Sequence, residues 1–316
     1  MLQALRTAAA LVALLLAWGC VLHEEPRPVT TAEVEIVLRL DPAMEGKTAA
    51  PDPGAAYTRR YTVEALDSRG TWHRTAATTD GTTATARMTL PQGSATIAAW
   101  SDWVRRSDCA ALYSADGQAT ATMTSAYTAC TEARDIFAGT ATADIGGGTG
   151  RFDIDLRRCA ARYEIVATDA EAFARRTAAG GTDTRGWRVR VEYAEAVATS
   201  YSIADGAPLR PSAIAYEAPL PAIAEGEREK VLAFDYCLCA PGAGMTLDAD
   251  IIILDAEGAA VARTRAAIAL RGGANTTVRG RFLTTAITGG IGIDPDYDGT
   301  VDTDLGTLVG RRQERR

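Results

Sequence analysis

The chain has 316 residues, with 33 Lys and Arg against 40 Asp and Glu and a formal net charge of −7. Hydrophobic residues make up 47% and charged residues 23%, enough to bury a core and too apolar for a disordered chain. The acidic balance argues against nucleic-acid binding through bulk positive charge, no apolar run reaches the roughly 20 residues that span a bilayer, and two His leave little room for a His-rich metal or catalytic centre.

Met1–Arg6 is a short start with one positive charge, and Ala8–Trp18 is an unbroken apolar run of eleven residues, the size of a signal-peptide h-region. Gly19-Cys20 closes it. A small residue before a Cys at this place resembles a bacterial lipobox, with Trp18 standing where a smaller residue is commoner. The resemblance implies residues 1–19 as a lipoprotein signal peptide and a diacylglycerol on Cys20; an ordinary secretory signal with an incidental Cys is the alternative. Residues 20–32 read as a flexible tether, and the acidic pair Glu24-Glu25 resembles the export signal of surface-exposed Bacteroidota lipoproteins.

Beyond the tether the pattern is β almost throughout. Val34, Ile36, Leu38 and Leu40 alternate with Glu35, Val37, Arg39 and Asp41, the period-2 signature of a half-buried strand. Tyr61, Val63 and Ala65 alternate again, Asp67–Gly70 makes a turn, and Trp72 starts the return. Further strands are expected at Ala84–Leu90, Ala95–Trp103, Phe152–Leu156, Tyr163–Ala167, Trp187–Tyr193, Val231–Cys239 and Thr276–Thr284, with a hairpin over Leu247–Arg265. Two short helices are expected, one over Thr131–Ala138 and one at Ala172–Arg176 behind a capping-box pattern, Thr168-Asp-Ala-Glu171. Many short strands separated by turns predict an all-β protein of β-sandwich domains. We place an N-terminal domain at 33–158, a C-terminal domain at 159–305 and a basic tail at 306–316.

Four stretches in order, Leu90–Trp103, Ala133–Gly139, Leu232–Tyr236 and Asn275–Thr284, resemble an uncharacterised Bacteroidales lipoprotein domain family related to the fimbrillin-like, Mfa-type adhesins. The resemblance implies two tandem transthyretin-like β-sandwiches on a lipid anchor in the outer membrane, and a non-enzymatic adhesin or pilus-associated subunit. Its implied partners are other fimbrial subunits or ligands on host or bacterial surfaces. The broader fimbrillin group assembles by strand exchange, in which an open sheet edge is completed by an incoming strand. The basic end, Gly310–Arg316, does not read as a donor strand. The alternative function is a surface lipoprotein that binds glycan or protein without polymerising, through loops such as Ala98–Cys130.

Few residues suggest chemistry. After Cys20 five Cys remain; Cys109 and Cys130 are candidates for a disulfide, and Cys237 and Cys239 project to one face of a strand and read as buried small hydrophobes. Trp103 beside Arg105 and Arg106 reads as core or as a recognition anchor. Asp294, Asp296, Asp298 and Asp302 match positions 1, 3, 5 and 9 of an EF-hand-type loop, but Leu305 stands at position 12, so either Ca²⁺ or a plain acidic turn is expected. Asp153 and Asp155 fall at strand spacing and read as a solvated face, a glycosidase pair being the minor alternative. Gly146–Arg151 lacks the Lys and the following helix of a phosphate-binding loop. Arg59-Arg60 is the expected point of trypsin-like cleavage. No enzyme signature and no obligatory cofactor is expected.

Overall fold

The computed structural model describes residues 30–47, 52–115, 118–124, 127–148, 150–285 and the strand 302–305. In chain order these form β1 (Thr31–Leu40), β2 (Tyr57–Asp67), β3 (Trp72–Thr79), β4 (Thr83–Pro91), β5 (Gly93–Arg105), β6 (Tyr113–Ala115), β7 (Thr120–Met123), β8 (Phe137–Ile145), β9 (Gly150–Arg158) and β10 (Ala160–Ala167). A helix α1 (Ala170–Ala179) follows, then β11 (Arg188–Tyr193), β12 (Val197–Ser202), β13 (Ala207–Ser212), β14 (Ala215–Pro219), β15 (Lys230–Leu238), β16 (Gly244–Leu254), β17 (Ala260–Arg271), β18 (Asn275–Gly280) and β19 (Asp302–Leu305). Among the described residues the chain is all-β apart from α1 and one 3-10 turn at Glu132–Arg134. No helix among the described residues is long and apolar enough to cross a membrane.

The first seven-stranded sheet has the order β3-β2-β5-β8-β9-β1-β4. It turns a corner at β8 and β9, which share two residue pairs only, Phe137 with Arg158 and Ala138 with Arg157. The leaf β4-β1-β9 therefore faces the leaf β3-β2-β5-β8. The alternating apolar positions meet between them: Val34, Ile36 and Leu38 of β1 and Ile154 and Leu156 of β9 pack with Tyr61, Val63, Ile97, Phe137 and Ile145. Period-2 alternation puts these side chains on one face, and removing them from water drives the packing.

The second pair of sheets, β15-β10-β18-β19 and β14-β11-β16-β17, encloses Tyr163, Ile165, Val189, Val191, Ile251, Ile253, Ile268 and Val278. Phe173 of α1 closes this core, its ring edge-on to Trp187 at 5.7 Å between centroids. The helix starts at Ala170, not behind a Thr168–Glu171 capping box. Asp169 is the N-cap residue, but its carboxylate accepts from the Leu283 and Thr284 N–H groups and the Thr284 hydroxyl, so it ties the helix to the chain after β18.

A third core, with Trp100, Tyr113, Ile136, Tyr201, Tyr236 and Leu238, lies between the two sandwiches. It is roofed by a small sheet, β13-β12-β7-β6, drawn from both halves of the chain. The exposed edge of this sheet is β13, where Pro208 and Pro211 lack N–H donors and Arg210 has a φ of +52°. The chain passes from the first sandwich to the second between β9 and β10, at Cys159, whose N–H donates to Ile136 and whose carbonyl accepts from Cys239.

The expected helix over Thr131–Ala138 is reduced to the 3-10 turn because its side chains are used elsewhere. Asp135 takes two hydrogen bonds from Arg158, and Phe137 already belongs to β8. Arg134, fully buried, donates to the Tyr236 carbonyl at 2.8 Å and lies 3.5 Å from the Asp235 carboxylate. Asp235 also accepts from the hydroxyls of Tyr127 and Tyr193, and Tyr193 continues through Tyr163 to Tyr216. Burial disfavours the Arg134 cation, but Asp235 and the neighbouring phenols outweigh it and hold the guanidinium charged. On the outer face of β10, Arg162 binds Glu132 and Glu164 and covers the Phe234 ring at 4.3 Å. The segment between β7 and β8 is thereby locked to β10 and β15.

Gly272 sits where β17 approaches the β15–β16 connection, and a Cβ there would come within 2.1 Å of the Ala240 carbonyl. Gly272→Ala is expected to lower the unfolding free energy by about 3 kcal/mol. Gly226→Ala, at a φ of +79° with nothing within 4 Å, should cost about 1 kcal/mol, both read from urea denaturation. Arg134→Met leaves Asp235 buried without its cation and is expected to destabilise by about 3–5 kcal/mol in the same assay.

Candidate functional site

The residues singled out around the end of β5 do not form an aromatic recognition anchor. Trp103 is buried, 9% exposed, and its ring lies under the Arg59 guanidinium at 4.0 Å. Arg59 and Trp103 are cross-strand partners on β2 and β5 and point into the first sandwich beside Phe137. Only Arg105 and Arg106 reach solvent, and both are engaged: Arg105 with Asp108 at 3.1 Å, Arg106 with Asp80 and the Ala55 carbonyl. Burial of Arg59 and pairing of Arg60 with the buried Asp102 also remove Arg59-Arg60 as an exposed cleavage point.

Cys109 and Cys130 are free thiols in the structure, so the pairing expected between them is not made. Cys109 lies in the exposed turn after β5. Cys130 donates its N–H to the Phe234 carbonyl and packs against the second core. Cys237 and Cys239 are free and buried as expected, and burial pushes the Cys237 thiol up to about 12. Cys20, Asp294, Asp296 and Asp298 lie outside the described residues. Asp302 is described by its backbone alone, paired with Arg279 in β19. Among the described residues no group of three or more His, Cys, Asp or Glu is placed to hold a metal ion.

One buried carboxylate fastens the loop over the first sheet. Arg60 grips Asp102 with two hydrogen bonds, of 2.9 and 2.6 Å, and passes a third to the Tyr113 carbonyl at the start of β6. Beside it, Glu64 of β2 accepts the Ala119 N–H at 2.7 Å. These contacts hold β6 and the turn before β7 over Trp100. Complete burial outweighs the pull of Arg60 and pushes the Asp102 carboxyl up to about 6.

The most site-like feature is a groove of about 480 Å³ at the corner where β8 and β9 part. Beyond Ala138, β8 stays with β5 as far as Ile145, while β9 runs parallel to β1 from Gly150, so the two strands enter opposite leaves. The wedge between them is lined by Thr140 of β8 and by Asp153, Asp155 and Arg157 of β9, with Gly139 and Ile154 at its base. The end of β12 with Tyr201, and the turn after it with Ile203 and Asp205, supply the far wall. Asp153 is taken by Arg39 at 2.6 Å, and Asp205 accepts the Ser202 hydroxyl at 2.6 Å. The side chains of Thr140, Asp155, Arg157 and Tyr201 make no hydrogen bond or ion pair among the described residues, although Tyr201 is only 1% exposed. Sequence pattern found the two β9 carboxylates. Nothing in it connects them with Tyr201, some fifty residues away.

A family model described as "Family of unknown function (DUF6562)" matches residues 26–309. No curated protein matches the chain. Among solved structures it is similar to a candidate polysaccharide-binding protein from Bacteroides thetaiotaomicron, at 10% identity and a TM-score of 0.48, covering 78% of this chain and 90% of that one. It is also similar to the fimbrial anchor protein Mfa2 from Porphyromonas gingivalis, at 12% identity and a TM-score of 0.43 over 78% and 90% of the two chains. A candidate cell adhesion protein from Bacteroides eggerthii aligns at 13% identity and a TM-score of 0.44 over 82% and 91%.

The Asp102 clamp makes a pH prediction. A carboxyl raised on folding contributes stability that is present in full below its unfolded value near 3.8 and is lost as pH rises through about 6. Between pH 4 and pH 6.5 the wild-type chain should therefore lose about 2 kcal/mol relative to Asp102→Asn, measured by urea denaturation of both across that range.

Proposed function

The chain belongs to the family of unknown function DUF6562, and from that premise we propose that it is an adhesin-like lipoprotein of the cell envelope, a pilus-associated subunit without enzymatic activity, anchored through acylated Cys20. The observation that carries this reading is Gly19-Cys20 closing an eleven-residue apolar run, with only ten residues between Cys20 and the first strand at Thr31. Acyl chains contribute about 0.8 kcal/mol per buried methylene, so two or three chains make a lasting anchor. The acidic pair Glu24-Glu25 directs the anchored chain to the outer face of the outer membrane. Residues 33–158 and 159–305 act as two domains in tandem, the first joined to the tether and the second displayed beyond it.

The motif resemblance supplies the fimbrial part of the reading. In strand exchange an incoming strand completes an open edge through main-chain hydrogen bonds. In this chain β19 lies antiparallel against β18, from Thr276 with Leu305 to Arg279 with Asp302. That edge is where a partner's strand competes with the chain's own.

Cys20→Ala is expected to move the chain from the membrane pellet to the soluble extracytoplasmic fraction, read by immunoblot after fractionation. Proteinase K added to intact cells should digest the wild-type chain while a periplasmic control protein survives. A Cys20→Ala chain that pellets like the parent overturns the anchor.

A further inference from the structure

The geometry points to the groove between β8, β9 and the turn after β12 as a binding site for a neutral, polyhydroxylated ligand, a glycan, held by Thr140, Asp155, Arg157 and Tyr201. This deepens the adhesive reading by giving it a ligand class, and it stands whether or not Cys20 is acylated.

The argument begins with unused hydrogen-bonding capacity. The Tyr201 ring is built into the third core, at 1% exposure, yet its hydroxyl has no partner among the described residues and borders the groove. The oxygen itself opens to the solvent of the groove, so a ligand hydroxyl can take the place of water there. Burial pushes its acidity down, so it remains a protonated donor that also accepts. Beside it stand a carboxylate that only accepts, a guanidinium that only donates and a hydroxyl that does both. Sugar hydroxyls donate and accept at once, so one ring can satisfy all four groups. The base and walls include Ile154, Ile203 and Pro241, apolar surface against which the C–H faces of a sugar can lie. The volume falls within the few hundred Å³ typical of small-ligand sites.

Other ligand classes fit less well. An anion meets Asp153, Asp155 and Asp205 against Arg157, the one cationic side chain among the described residues that line the groove. A metal ion lacks three converging ligands among the described residues. An added peptide strand needs a continuous open edge. Here β8 and β9 are joined through Phe137 and Ala138, and a Cβ on Gly139 would come within 2.7 Å of the Asp155 carbonyl, which closes the seam at its base; a strand added beyond it would bond to main chain and leave the four side chains unused.

The test titrates the purified chain with neutral hexasaccharides of glucose, mannose, xylose and N-acetylglucosamine, and with a hexagalacturonate, by isothermal calorimetry and saturation-transfer NMR. The variants are Tyr201→Phe, Asp155→Asn and the distant surface control Asp250→Asn, each checked for wild-type melting. At least one neutral hexasaccharide should bind. Tyr201→Phe and Asp155→Asn should each weaken it about fivefold to tenfold, the worth of one or two hydrogen bonds, and Asp250→Asn should leave it unchanged. The assignment is overturned if no neutral hexasaccharide binds, if hexagalacturonate alone binds, or if the first two variants bind like the parent. None of these outcomes bears on the fractionation of Cys20→Ala, so the site and the anchor fail separately.

Discussion

The buried meeting of Arg134 with Asp235 is the constraint on which the rest of the architecture turns. Arg134 belongs to the segment entering β8, and Asp235 lies on β15, about a hundred residues later. Stripping water from two charges is tolerated only when the geometry is good and the remaining lone pairs are filled. Tyr127 and Tyr193 donate to one carboxylate oxygen, and the guanidinium donates to the Tyr236 and Thr128 carbonyls. The other carboxylate oxygen and the guanidinium Nε face each other at 3.5 Å as an ion pair without a hydrogen bond. An arrangement with so many angular requirements admits few alternatives. It sets how the first sandwich meets the second, and the third core with Trp100, Tyr113 and Tyr201 forms in the space that results. The groove inherits the same dependence, because its near wall comes from β8 and β9 and its far wall from the turn after β12.

The large strands were legible because each buries one face. Alternation in Thr31–Leu40, Thr83–Pro91 and Ala260–Arg271 is reproduced in the burial of those strands, except at Val37, which is buried on the other face of β1, and at the end of β4, where Leu90 and Pro91 are both buried. The hairpin over β16 and β17 was legible from its turn, where Asp255 accepts the Ala259 N–H. The small roof sheet was not. Tyr113–Ala115 and Thr120–Met123 are too short for a period to emerge, and their partner β12 is distant in sequence. The stretch Thr131–Ala138 looked helical because local pattern carries no information about Asp235 or Arg158, the groups that claim its side chains. Trp103 looked available because its proximity to Arg105 and Arg106 is local, whereas the Arg59 that covers it arrives from another strand.

Paired and unpaired charges divide the surface. On the outer face of β11, β14, β16 and β17, Arg188 meets Glu217, Arg263 meets Asp250 and Arg265 meets Asp248. Exposed pairs of this kind are worth at most about 1 kcal/mol each. Their effect is to leave a face that water already satisfies. The groove differs in leaving donors and acceptors of both kinds without partners among the described residues, one of them on a ring anchored in a core. A rigid base beneath unspent polar groups loses little conformational entropy when a ligand arrives.

The edge of the roof sheet has a consequence for crowding. Pro208 and Pro211 interrupt the donors of β13, and Arg210 bends its backbone through a left-handed angle. A flank broken in this way is a poor template for lateral zipping. Molecules packed at high density could slide past one another along this side without fusing into sheets, remaining individually mobile in a crowded layer.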